Sequence, residues 1–264
     1  MAMAFVRVLG NDIHYTERGD GPPLLFLHGN GSCGEAWYHQ FEVFGGQFRV
    51  IAYDSVNHGH SSNSPAGQPE PDRADELEGF LAALGLHQPV IAGNSMGALS
   101  LLRWAVRHPD TARALIPSGM GVQPPGTPSA PVAADPIGDE EIFLGAERGF
   151  TPDFPAAEPE LYDRYIRLRS TATRIEASRH PRTSTLVNPG RDELADWVAG
   201  IQSPMQIIVG EHDWLHDAGV HLHELVKGSR LAEIAGAPHN AYYQAAAEYN
   251  EVVTSFLAEV PAAS

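Results

Sequence analysis

Short, mainly apolar runs alternate with amphipathic stretches along most of the chain. Leu24–Leu27, Phe48–Tyr53, Pro89–Ala92, Ala112–Ile116 and Met205–Val209 are such runs. Their length and continuity predict strands buried on both faces, as in a parallel sheet. Between them, apolar residues return at helical spacing. Leu77, Phe80, Leu81 and Leu84 predict a helix over 72–84. Residues 37–44, 98–107 and 191–199 read the same way. Leu161, Tyr165, Leu168, Ala172 and Ile175 fall at steps of four, three, four and three, which predicts one amphipathic helix. Tyr242, Ala246, Tyr249, Val253 and Phe256 predict a single closing helix over 242–257. At the start, Phe5–Leu9 and Ile13–Glu17 flank Gly10-Asn11-Asp12, the chemistry of a hairpin turn. Arg230–Ala235 is a last short strand. The pattern breaks from Pro117 to about Pro136, where Pro, Ala, Gly and Ser dominate and a hinge or lid entrance is expected.

Composition sharpens this outline. At 264 residues and 43% hydrophobic, the chain suits one α/β domain with an insertion. A net charge of −16 argues against nucleic acid and against an anionic membrane surface, and no apolar run approaches a membrane span. The N-terminus shows no secretory signal. Cys33 is the sole cysteine, so no intrachain disulfide forms, and a cytoplasmic location is expected. A small-molecule partner is expected; no heptad or edge signal decides whether the chain forms a homo-oligomer.

The chemistry concentrates at strand ends. Gly93-Asn94-Ser95-Met96-Gly97 joins a strand to a helix. Small-x-Ser-x-small in that context is a nucleophile elbow, a tight turn that exposes the serine hydroxyl at a helix N-terminus. His28-Gly29-Asn30-Gly31-Ser32 follows the first parallel strand. Acyl transfer needs two N–H donors for an oxyanion, and the backbone of Met96 and of Asn30 are the candidates. His28 is expected to brace that loop. Asp54 and His58 form a tempting acid/base pair, but an Asp at a strand end more often ties a loop through backbone N–H groups. Gly210-Glu211-His212-Asp213 ends a late strand, where a triad acid belongs. Asp213 is the first choice, with Glu211 and Asp217 as alternatives. His239 follows the last strand and is the candidate base. His212, His216, His221 and His223 lack a helical metal-binding pattern, so no metal or cofactor is expected. Arg164, Arg167, Arg169, Arg174 and Arg179 lie mostly off the apolar stripe of their helix. They form either a solvated face or include an arm that reaches a substrate carboxylate.

Ordered Ser95, Asp213, His239 on the strand ends of an alternating chain, the sequence resembles the α/β-hydrolase superfamily. His28-Gly29-Asn30-Gly31, Asp54 with His58-Gly59-His60-Ser61, and Gly93-Asn94-Ser95-Met96-Gly97 carry the same resemblance. It implies an eight-stranded, mostly parallel sheet flanked by helices. It also implies a helical cap over 118–203, inserted between core parts 1–117 and 204–264. Asn57 replaces the family's usual glycine before His-Gly, and Ala237-Pro238-His239 replaces Gly-x-Gly-His. The elbow is similar to that of carbon–carbon hydrolases of ring-fission products, whose tryptophan after the histidine is here Asn240. A serine, not an aspartate, separates the chain from the dehalogenases and epoxide hydrolases. The expected activity is hydrolysis of a small carboxylic ester or lactone through an acyl-enzyme. Carbon–carbon hydrolysis, cofactor-free perhydrolysis and a low-turnover ligand-binding homologue are the alternatives.

Overall fold

The computed structural model describes residues 2–64, 70–127, 147–172 and 191–261. Eight strands form one sheet: β1 (Ala2–Val8), β2 (Asn11–Arg18), β3 (Pro23–Leu27), β4 (Arg49–Tyr53), β5 (Val90–Asn94), β6 (Ala114–Ser118), β7 (Gln206–Gly210) and β8 (Arg230–Ile234). Their spatial order is β1-β2-β4-β3-β5-β6-β7-β8. β1 with β2 and β2 with β4 are antiparallel, and every other pair is parallel. The helices are α1 (Tyr38–Phe44), α2 (Arg73–Ala83), α3 (Met96–Arg107), α4 (Phe154–Ala157), α5 (Pro159–Ala172), α6 (Arg191–Val198), α7 (His216–Leu225), α8 (Ala241–Gln244) and α9 (Ala246–Glu259). None of the described helices is long and apolar enough to cross a membrane.

The continuous apolar runs form buried strands because both faces of the sheet are covered. Leu25 and Leu27 of β3 point to one side, with Ile51, Ile91, Leu115 and Ile207. There they meet Leu77 and Phe80 of α2, Leu101 and Trp104 of α3, Leu194 and Val198 of α6, and Leu222 of α7. Leu24 and Phe26 point to the other, with Val50, Val90, Ile116 and Ile208. Trp37, Phe41 of α1, and Tyr249, Val253 and Phe256 of α9 cover that side. Capping fixes the start of α2, where the Asp72 carboxylate accepts the N–H groups of Ala74 and Asp75 and two acids occupy the first turn.

Three expectations shift. The hairpin turn is Leu9-Gly10, both at positive φ (47° and 80°), so Asn11 and Asp12 belong to β2. Two residues in that region make the tight two-residue turn that matches strand twist. The closing helix is two helices, broken at Ala245 (φ −110°, ψ 48°). The helix expected from 98 begins at Met96, directly after the serine. Residues 128–136 of the Pro-rich stretch, and Arg174, Ile175 and Arg179, lie outside the described residues.

The loops at the carboxyl edge of the sheet hang on Asp54, at the end of β4. Its Oδ1 accepts Gly34 N–H at 2.8 Å, and its Oδ2 accepts His60 N–H at 2.9 Å and His14 Nδ1–H at 2.9 Å. Asp54 therefore ties loops, and it has no contact with His58 of the kind an acid/base pair needs. Burial alone would raise its pKa. The bond from His14, the field of His28 and the two N–H donors outweigh burial and bring it down to about 2. The unfolded chain, with the ordinary value of 3.8, binds that proton first. The stabilisation is complete above that value and is lost as the pH falls toward 2. It amounts to about 2 kcal/mol. Asp54→Asn should cost about that much near neutral pH by chemical denaturation, and the variant should lose less stability than the wild type on acidification from pH 4 to pH 2.

Candidate active site

Ser95 occupies the turn between β5 and α3 with φ 54° and ψ −115°, a region L-residues avoid. Close packing enforces this turn. A Cβ on Gly93 would stand 2.6 Å from the Gly97 carbonyl carbon, and one on Gly97 would stand 2.3 Å from Leu27 O. Strand and helix therefore approach only because glycine flanks the serine on both sides. Ser95 N–H donates to Ser118 O at 2.9 Å, and Ser95 O accepts Leu99 N–H at 3.0 Å. The serine is half-buried where its chain neighbours are buried. Met96 is the first residue of α3, so its N–H lies among those with no intrahelical acceptor.

Asp213 and His239 follow β7 and β8 at the same edge of the sheet. His239 Nδ1 lies 2.8 Å from Asp213 Oδ1. The same oxygen accepts Leu215 N–H at 2.9 Å. The Asp213 side chain is fully buried, and its Oδ2 has no hydrogen-bond partner among the described residues. Of the three acids considered, only Asp213 meets His239. Glu211 accepts Gly236 N–H at 2.7 Å, and Asp217 pairs with His216 at 3.0 Å.

Asn30 lies in the turn after β3, closed by Ser32 N–H to Gly29 O at 3.1 Å. A Cβ on Gly29 would touch Ser95 Cβ at 3.4 Å, which puts this turn against the serine. His28 braces it. Its Nδ1–H donates to Gly29 O at 2.8 Å, and its Nε2 accepts Ser55 N–H at 3.0 Å. Those two bonds define one neutral tautomer. Burial, partly opposed by Asp54, lowers the pKa of His28, and burial holds His58 well below its ordinary value. Both histidines beside the turn are thus neutral near pH 7.

Several contributors escaped the sequence pattern. Gly119, just past β6, has φ +58°. A Cβ there would lie 2.7 Å from Asn94 Oδ1 and 3.1 Å from His239 Cε1. A glycine after a predicted strand was the only sign of it. Asn94 Nδ2 donates to Asn240 Oδ1 at 3.2 Å, and Asn240 Nδ2 donates to the Tyr165 hydroxyl of α5 at 3.2 Å. The arginines of α5 do not form a uniformly solvated face. Arg164 lies 3.6 Å above the Tyr38 ring, and Arg169 Nη1 donates to Asn30 O at 3.1 Å. A cleft of about 420 Å³ opens beside the His239 loop, between Phe150–Asp153 and Gly236–Pro238. A slightly larger one, about 450 Å³ and lined by Arg103, Arg107 and Trp197, lies at the far end of α3 from Ser95.

The histidines near Asp213 are held apart by separate partners: His216 by Glu233 and Asp217, His221 by Glu224, His223 by Ser229. Among the described residues, the group spaced to hold a metal ion is His14, Asp54 and His60, with ligand atoms within 4.8 Å. The hydrogen bonds from His14 and from the His60 backbone already use Asp54 Oδ2 as a brace.

A family profile described as the alpha/beta hydrolase fold matches residues 22–246. The chain belongs to that family. A hydrolase of (E)-2-((N-methylformamido)methylene)succinate from Acinetobacter baylyi is 37% identical over 100 residues, which span 38% of this chain and 38% of that protein. A putative non-heme chloroperoxidase from Synechocystis is 25% identical over 263 residues, or 93% of this chain and 95% of that one. Among solved structures, the enol-lactonase of Burkholderia xenovorans superposes with a TM-score of 0.74 at 22% identity, covering 97% of this chain and all of that one. The eight-stranded sheet and its flanking helices are the architecture the family shares.

Gly119→Ala combines a strained φ with a Cβ against both Asn94 and His239. It should lower thermal stability by a few degrees, for a cost of about 1–3 kcal/mol. If Ser95 is a nucleophile served by His239, its labelling should fall further than that loss accounts for. A melting curve and a serine-directed probe, run side by side, check this.

Proposed function

We propose that the chain is a serine hydrolase of small carboxylic esters or lactones. Ser95 would be its nucleophile, His239 its base, Asp213 the acid that orients the base, and the backbone N–H groups of Asn30 and Met96 its oxyanion donors. One observation carries the reading: a buried Asp213–His239 hydrogen bond at the strand edge where a strained turn presents Ser95.

With Nδ1–H donated to Asp213, the Nε2 lone pair of His239 is the one available as a base. His239 takes the Ser95 proton as Oγ bonds to the substrate carbonyl carbon. The carbonyl oxygen becomes an oxyanion held by the two N–H donors, each worth about 3 kcal/mol in a comparable site. The imidazolium then protonates the leaving alkoxide, and the acyl group remains on Ser95. Water, losing a proton to His239, attacks the acyl carbon; the bond to Ser95 Oγ then breaks, His239 returns the proton to Oγ, and the acid leaves. The Asp213 carboxylate stabilises the imidazolium in both halves. Neutral His28 and His58 add no charge to the oxyanion turn, while the Arg169 guanidinium, bonded to Asn30 O, adjoins the oriented N–H dipoles there. Residues 118–203 would form the cap, with α4, α5 and α6 as its described helices. α5 reaches the site through Tyr165 and Arg169, while Leu194 and Val198 of α6 pack into the core.

A fluorophosphonate probe should label the wild type at Ser95 and leave Ser95→Ala unlabelled and folded. The same variant should lose nearly all turnover of 4-nitrophenyl acetate. Asp213→Asn should reduce kcat by about 10⁴-fold, as the corresponding change does in serine proteases. Full esterase activity in Ser95→Ala would refute the assignment. If Glu211→Gln or Asp217→Asn were the damaging change, the acid would be misassigned.

A further inference from the structure

Trp214 plays no part in the reaction just described, yet it lies directly on the proposed base. Its indole stacks on the His239 imidazole, with ring centroids 3.9 Å apart and planes inclined by 26°. The exposures of the two rings are opposite. His239 sits on a loop and is 6% exposed, whereas Trp214 is 55% exposed. A tryptophan left that open to solvent gains little from its own burial. What the stack achieves is shelter for the imidazole.

The local backbone explains how the indole gets there. Asp213 N–H donates to Gly210 O at 3.0 Å, and His216 N–H donates to Asp213 O at 2.9 Å. Leu215 N–H donates to Asp213 Oδ1. Trp214 lies inside this turn, so the segment that supplies the carboxylate for one edge of the imidazole also supplies the ring that covers its face. Gly119 backs the imidazole closely, within 3.2 Å of where its Cβ would be. Rotation of the ring about its Cβ–Cγ bond would break the stack and the bond to Asp213 together.

We propose that Trp214 is a positioning residue for His239: its indole locks the plane of the imidazole, keeps water from the Asp213–His239 hydrogen bond, and presents a π face to the positive charge the ring takes up during turnover. The role rests on the triad reading above. Indole is the strongest π partner for a cation among the side chains, so Phe should replace it in part and an aliphatic residue should not.

The test uses the intact protein in wild-type, Trp214→Phe, Trp214→Leu and Trp214→Met forms, with 4-nitrophenyl acetate kinetics and proton NMR of the Nδ1–H shared by His239 and Asp213. That proton is the expected most downfield resonance, assigned by its loss in Asp213→Asn. Leu and Met should lower kcat about tenfold with little change in KM. Phe should restore most of the loss. The downfield proton should persist in the wild type and the Phe variant and broaden through exchange with water in the Leu and Met variants. Met is unbranched and flexible and also lacks a π face, so it carries the test if Leu melts early. Unchanged kcat and an unchanged proton in Leu or Met would overturn the proposal. So would a change confined to KM, which would mark Trp214 as a substrate contact. If the wild type shows no Ser95-dependent turnover, the triad reading fails on its own. The proton still decides the stack, supported if it broadens in Leu or Met and overturned if it does not.

Discussion

Ser95 is held where an L-residue resists going, and much of the molecule is arranged to keep it there. A φ of 54° with ψ −115° costs of the order of 1–3 kcal/mol. The turn cannot relax, because Gly97 is pressed on the Leu27 backbone of β3 and Gly93 on the first turn of α3. Ser118 at the end of β6 takes the serine N–H, and its hydroxyl donates to Gly93 O at 3.1 Å. Three adjacent parallel strands and one helix therefore define a single turn. The apolar layers on both faces of the sheet make those four elements rigid, so core packing far from the serine is what maintains its conformation.

Around that turn, hydrogen bonds remove freedom from the polar groups. His28 is bonded through both ring nitrogens and neutral, and Asp54 gathers three donors at the end of β4. The second carboxylate oxygen of Asp213 is buried and unmatched among the described residues. A buried anion with one oxygen unmatched interacts strongly with whatever positive charge comes nearest, and His239 is its direct neighbour.

The central parallel strands were legible because each is mainly apolar, and that has a simple cause: helices cover both faces of the sheet. The edge hairpin was less legible. Leu9 at φ 47° carries no local signal, so Gly10-Asn11-Asp12 attracted the turn. The closing helices share one apolar stripe across the break at Ala245, and periodicity cannot see a break that preserves the face. At the site, chain order and strand ends brought Ser95, Asp213 and His239 to one edge. Position after the late strand already favoured Asp213 over Glu211 and Asp217, and the side-chain directions agree: only Asp213 meets His239. Gly119, Trp214 and Asn240 act through close approach between distant segments, which leaves no mark on local pattern.

The hydrogen bonds that assemble this edge also set an order of events for the newborn chain. Asn94 meets Asn240 across 146 residues, and Gln40 meets Tyr242 and Asn250 across more than 200. Closing such spans costs entropy that local contacts do not repay. During synthesis, the serine turn and the strands beside it emerge long before the segment that carries His239. The strained turn must therefore be framed by β3, β5, β6 and α3 while its imidazole is still missing. On the proposed triad, a ribosome-bound chain stopped before β8 would hold a shaped serine without its base, and reactivity would arrive only with the segment that carries His239.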